Sequence, residues 1–164
     1  MTVPCFLRLV AAVFLAGPMG ACSQAEPAPW LINETESVPR GLYRLTSQAA
    51  GSGDLVAVRP PPLARDYLAA LGAATDLRLF KRVTADAGDI VCRHGRRLSW
   101  PGGLVVARTT DPSGRILPHW SGCRRLGPDE RLVIGDSALS FDSRYFGPVR
   151  TGDFEGVYEE VWRW

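Results

Sequence analysis

Lys81 is the sole lysine in a 164-residue chain whose 19 lysine and arginine residues are otherwise all arginine. Arginine supplies positive charge wherever charge alone is wanted, but its guanidinium stays protonated under all protein conditions. A lysine amine can be made neutral by burial or a neighbouring charge, and can then take a proton from a reacting group. Lys81 is therefore a candidate general base, set against the plainer account that an arginine-biased composition leaves one lysine by chance. Such a base activates a weak nucleophile. The candidate is Ser37, in the run Asn33-Glu34-Thr35-Glu36-Ser37-Val38-Pro39-Arg40-Gly41-Leu42-Tyr43. Pro39 and Gly41 constrain the backbone there, so the hydroxyl sits on a turn. Thr35, two residues earlier, is placed to set its hydroxyl beside the Ser37 amide and hold a developing oxyanion. A serine in one polar loop is, taken alone, more often only solvated. Asn33-Glu34-Thr35 is also formally a glycosylation sequon, to which a bacterial-looking leader gives little weight.

The lysine needs an element that buries it. Read as a β-strand, Asp76–Thr84 puts Leu77, Leu79, Lys81 and Val83 on one face and Arg78, Phe80, Arg82 and Thr84 on the other. Lys81 thus falls on the apolar face, where desolvation lowers a lysine pKa from its ordinary value of about 10.4 toward neutrality. The alternative is a lysine that snorkels from the strand edge, stem buried and amine in water. The alternation leaves both open.

Elsewhere the chain reads as β-rich. Gly-Asp recurs at Gly53-Asp54, Gly88-Asp89, Gly135-Asp136 and Gly152-Asp153, several times beside β-branched runs, as turns feeding strands do. The intervals are irregular and define no repeat. After Pro60-Pro61-Pro62, Leu63–Gly72 reads as one helix ended by glycine. Core strands are expected at Arg131–Ile134, near Gly147–Val149 and at Val157–Trp162. The glycine- and proline-rich stretch between Cys92 and Arg131 reads as an excursion from the core.

Length predicts one compact domain, residues 30–164, behind a leader (1–22) and a small-residue and proline linker (23–29). Arg8 precedes the apolar run Leu9–Ala21, which reads as an export signal or short membrane anchor with the remainder of the chain across the membrane. Met19-Gly20-Ala21-Cys22 also resembles a lipoprotein cleavage site. A cleaved signal, a lipid anchor on Cys22 and a retained anchor all stay open. Cys92 and Cys123 then lie in an oxidising compartment and are expected to pair, closing a loop of about 30 residues worth roughly 3–4 kcal/mol. A metal site built from these cysteines with His94 and His119 lacks compact ligand spacing. Net charge is +2 with acids and bases interspersed, so no basic stripe points to nucleic acid.

Four stretches in order, NETESVPRGLYRL, GDLVAV, LFKRVTADAGDIV and GDSALSFDSRYFGPV, resemble the successive motifs of the signal peptidase I family. The form S-x-P-x-G-x-Y after N-x-T is similar to its TraF-type branch of conjugative transfer peptidases, as is the short Ser137-Ala138-Leu139 segment. The match spans residues 30–150. The resemblance implies a mainly β, signal-peptidase-like fold with a short helix and a disulfide-pinned excursion. It implies Ser37 as nucleophile, Lys81 as general base, Thr35 in the oxyanion hole and Ser140 bonded to the lysine amine. Asp142 and Arg144 would support the site, and Gly135 and Asp136 would shape its backbone. No cofactor is expected. The implied partners are a pilin or other exported precursor with small residues before the cut, and the inner membrane at its periplasmic face. A general preprotein signal peptidase, and a non-catalytic exported component of a transfer apparatus, are the competing readings.

Overall fold

The computed structural model describes residues 26–164, so the predicted leader, Cys22 and the first part of the linker lie outside the described residues. The chain enters through β1 (Trp30–Asn33), β2 (Gly41–Thr46) and β3 (Leu55–Val58), followed by helix α1 (Pro62–Ala70) and β4 (Leu79–Ala85). Next come β5 (Ile90–His94), β6 (Arg97–Trp100), β7 (Gly103–Val106) and β8 (Gly122–Arg125). It closes with β9 (Glu130–Ile134), the four-residue helix α2 (Ser143–Phe146), β10 (Val149–Arg150) and β11 (Phe154–Arg163). The fold is mainly β, as expected. One seven-stranded sheet has the order β1-β2-β11-β3-β4-β9-β10, and a four-stranded sheet has the order β7-β6-β5-β8. All neighbours in both are antiparallel.

Strand β3 is buried along its whole length because both faces of the large sheet are covered there. Val56 and Val58 pack with Leu79, Val83, Val133 and α2's Phe146, while Leu55 and Ala57 pack with Tyr43, Phe80 and Tyr158. The two sheets meet through a third cluster, in which Val91 and Leu98 of the small sheet lie against Ala85, Leu132 and Ile134.

Several boundaries differ from the sequence-based expectation. Strand β4 begins at Leu79 and not at Asp76, since Thr75 and Asp76 form a turn and Arg78 bonds to the Asp76 carbonyl and to Glu155. Helix α1 starts at Pro62, whose missing N–H is no loss in a first turn, and Gly72 follows it at φ +76°. The strand expected near Gly147–Val149 is only the two-residue β10, because Gly147, at φ +81°, ends α2. Gly53 and Gly88 do open turns at positive φ, whereas Gly152-Asp153 lies in a single 3-10 turn.

The excursion is itself an ordered sheet, β5 to β8. Its first hairpin turns on Gly95 at φ +57° followed by Arg96, the glycine position that a type II′ turn requires. Cys92 and Cys123 sit directly opposite each other on β5 and β8, Cα atoms 4.0 Å apart, and are disulfide-bonded. Strand β8 is exposed along its whole length, so it is held by its ladder, by this covalent link and by surface contacts of Arg124 with Glu130 and of Arg125 with the Gly88 carbonyl. The double variant Cys92→Ser/Cys123→Ser is expected to lose roughly 3–4 kcal/mol of stability, with amide exchange rising first in β8. Urea unfolding and hydrogen exchange check this; an unchanged midpoint would show that the ladder alone suffices.

Candidate active site

Ser37 lies on the connection from β1 to β2, and that loop is held from within. Asn33, the last residue of β1, is 5% exposed. Its amide nitrogen donates to the carbonyls of Thr35 (2.9 Å), Val38 (2.9 Å) and Pro39 (3.0 Å). Its Oδ1 accepts from the Thr35 amide (3.2 Å) and the Thr35 hydroxyl (2.8 Å). Below the loop, Val38 is buried against Tyr43 and Phe80, and the Tyr43 hydroxyl donates to the Pro39 carbonyl at 2.6 Å. The sequence shows Asn33 as the start of a sequon and of the N-x-T pattern, but not as the loop's internal brace. The readable signal was Asx-turn chemistry at the end of a strand. Thr35 is exposed, and its hydroxyl must turn away from Asn33 before it can serve an oxyanion.

A second loop, from Gly135 to Asp142, comes against the first. The Asp136 amide donates to the Ser37 carbonyl at 2.6 Å, and the Ser140 hydroxyl donates to Ser37 Oγ at 3.4 Å. Gly135 is required by this approach: an added Cβ would lie 2.5 Å from Ser140 Cβ and 2.8 Å from the Ser37 carbonyl oxygen. The Arg144 guanidinium organises the loop, donating to the carbonyls of Ser137 (2.7 Å), Ala138 (3.2 Å) and Gly135 (3.3 Å) and to Asp142 Oδ1 (2.8 Å). Asp142 in turn accepts from the Gly135 amide (2.8 Å) and, as the N-cap of α2, from the Arg144 amide (3.0 Å). Every polar atom of this pair has a structural partner, which fits support and not proton transfer.

Lys81 is 3% exposed. It lies opposite Val56 in β4, an interior strand between β3 and β9, so snorkelling from a sheet edge is excluded. Burial pulls its pKa down to about 8; Asp142 and Asp136 work against that shift and Arg144 with it. Asp136 and Asp142 belong to the loop that touches Ser37, and Arg144 to the helix that follows it. The hydrogen bond the amine makes here is to the Phe80 carbonyl, 3.1 Å away, and the Ser140 hydroxyl is directed at Ser37. An open hollow of about 220 Å³ lined by Glu36, Ser37, Ser137, Leu139 and Ser140 lies over the site.

The donor atoms of Cys92, His94 and Cys123 lie within 4.8 Å of one another. Both sulfurs belong to the disulfide, however, and a disulfide offers no thiolate to a metal. His119 is not part of that group.

The sequence profile of the family described as signal peptidase, peptidase S26, matches residues 3–164. A plasmid transfer protein TraF from Escherichia coli is 34% identical over 176 aligned residues, covering 97% of this chain and 98% of its own. A conjugal transfer protein TraF from Agrobacterium fabrum is 35% identical over 144 residues, covering 79% of this chain and 80% of its own. Among solved structures, a signal peptidase I from Enterococcus faecalis V583 aligns with 68% of this chain and 98% of its own, at 20% identity and a TM-score of 0.41. With a match over nearly all of its length and relatives above 30% identity, the chain belongs to the signal peptidase family, peptidase S26.

Proposed function

We propose that this protein is a membrane-associated serine endopeptidase that matures a conjugative pilin precursor through Ser37 and Lys81. The observation that carries the reading is the sole lysine, buried in an interior strand with its amine drawn toward neutrality beside the loop that braces Ser37. Neutral Lys81 takes the Ser37 proton as Oγ attacks the substrate carbonyl; the Ser37 amide and Thr35 hold the oxyanion. Ser140 orients the hydroxyl it already touches. The protonated lysine then assists the leaving amine, and the acyl-enzyme is resolved by water or by an amine of the substrate itself. Water leaves a linear product. An internal amine leaves a cyclic one, lighter by one water, so weighing the products of a pilin precursor separates the two.

Membrane contact is supported by a surface feature. Trp30, Ile32, Trp162 and Trp164 are all exposed on β1 and β11 or just beyond, with Ile32, Leu42 and Trp162 in one cross-strand row. These strands flank the Ser37 loop, and tryptophan-rich apolar surface of this kind suits a bilayer interface. Among the described residues no helix is long and apolar enough to cross a membrane. The names of the relatives favour a conjugative role over general preprotein processing.

Ser37→Ala and Lys81→Arg are each expected to reduce cleavage of a pilin precursor by at least about 10²–10⁴-fold while the protein stays folded. Arginine keeps the charge but cannot accept the proton; turnover retained in Lys81→Arg would refute the general-base role.

The acylation rate should rise with pH through about 8, because the amine is protonated below that value and neutral above it. At pH 7 it should run at about a tenth of its alkaline plateau. Single-turnover measurements check this, and a flat profile across that range would remove Lys81 as the titrating base.

Stability has its own signature. The folded state releases the Lys81 proton near 8 whereas the unfolded chain keeps it to the ordinary value of 10.5, so stability should rise with pH across that window. Lys81→Met should abolish that rise and raise stability at pH 7, where holding the ammonium inside costs roughly 3 kcal/mol. Thermal or urea unfolding at a series of pH values reads both effects.

A further inference from the structure

Beyond Ser37 lies a cavity of about 310 Å³ between α1 and the loop that follows β7, which the acyl-transfer chemistry leaves unused. Its aromatic wall is made by Tyr67, Phe141 and Tyr145, with ring centroids 4.9 Å apart for the first pair and 5.5 Å for the second. The wall is braced. Tyr67 donates its hydroxyl to Asp111 at 2.8 Å, and Asp111 also accepts from the amides of Ser113 (2.8 Å) and Arg115 (2.9 Å). The Tyr145 hydroxyl accepts from the Arg108 amide at 3.2 Å. A hollow held open by such contacts is pre-formed, and its size reaches the range in which small ligands bind.

Two features tie this cavity to the cleft. Leu139, 60% exposed, lines both the cavity and the hollow over Ser37, and so forms the sill between them. Phe141 of the aromatic wall directly follows Ser140, whose hydroxyl touches Ser37. On the opposite side, Glu36 and Ser137 are shared with a third hollow of about 350 Å³ beside Val38 and Pro39. The hollow over Ser37 therefore adjoins both of the others through shared lining residues, as the subsites for an extended chain across a scissile bond must adjoin one another.

We propose that the α1 cavity is a specificity subsite of the Ser37 cleft, occupied by one bulky apolar side chain, preferably aromatic, of the precursor being cut. The inference rests on the Ser37 peptidase reading and adds a substrate requirement to it. An apolar occupant fits because the Asp111 carboxylate is already satisfied by Tyr67, by two amides and by Arg115 at 3.5 Å. A cationic side chain entering there would lose its hydration without gaining a free carboxylate, whereas a phenyl ring would gain apolar burial against three others.

The test uses ten-residue peptides of alanine, glycine and serine, with a single Phe moved through the sequence position by position. The full chain carrying Ser37→Ala, expected to hold substrate without cutting it, is titrated with each peptide, and the unaltered chain is assayed for cleavage of the same set. One Phe placement is expected to tighten binding at least about tenfold over the Phe-free peptide, and to raise kcat/KM by a similar factor. Leu71 lines the cavity at the C-terminal end of α1, where it is partly exposed. Leu71→Trp should fill the mouth and bring that ratio to about one, while Leu71→Ala should shift the preference from Phe to Trp. Equal binding at every Phe placement, or a preference untouched by both Leu71 variants, overturns the subsite. If the preference and its response to Leu71 appear in binding but the unaltered chain cuts no peptide, the subsite stands and the peptidase reading fails.

Discussion

Arg144 and Asp142 form a buried ion pair, 2% and 0% exposed, on which the geometry of the candidate site depends. A buried pair of this kind is tolerated only when its remaining hydrogen-bonding capacity is filled. Here the guanidinium fills its own by gathering three carbonyls of the Gly135–Asp142 loop, and the carboxylate fills its own with two amides. The loop so formed carries the Asp136 amide and the Ser140 hydroxyl to Ser37. The same pair sits in the field of Lys81, where its two charges act in opposite senses and leave desolvation as the larger influence. One interaction therefore shapes the serine's surroundings and leaves the lysine's proton affinity under the control of burial.

That arrangement works against stability. A lysine in the middle of an interior strand, a glycine where no Cβ fits, and a loop folded around a buried asparagine are each unfavourable by themselves. They persist because the large sheet surrounds them with apolar contact on both faces, from Val56 and Val133 on one side to Tyr43 and Phe80 on the other. The four-stranded sheet stands apart from this. Its outer strand β8 has no buried residue and relies on pairing, on the Cys92–Cys123 bond and on exposed arginine contacts to Glu130 and Gly88.

Much of this was legible in the chain before folding. The alternation of Leu79, Lys81 and Val83 correctly put the lysine on a core face, since side-chain direction along a strand is a local property with period two. The pairing of Cys92 with Cys123 followed from export and from there being two cysteines beyond the leader. The excursion between them was less legible. Its glycines and prolines mark an excursion without showing its strands: Gly95 and Pro101-Gly102 serve as hairpin turns, and β8 lacks the apolar alternation that would mark it as a strand. The bracing role of Asn33 was not legible, because nothing near it in sequence shows that its loop folds back over it.

What the sequence by itself determined is the set of parts: a single titratable amine on an apolar strand face, a serine on a constrained turn, and the order of the motifs that carry them. Whether that amine is inside or only leaning out was decided by tertiary structure, because it depends on β3 and β9 pairing on either side of β4. So was the meeting of Ser37 with Ser140, which are 103 residues apart. Periodicity and turn chemistry act over a few residues and can be read directly. Desolvation and contact are properties of the closed chain, and exist only when distant strands have come together.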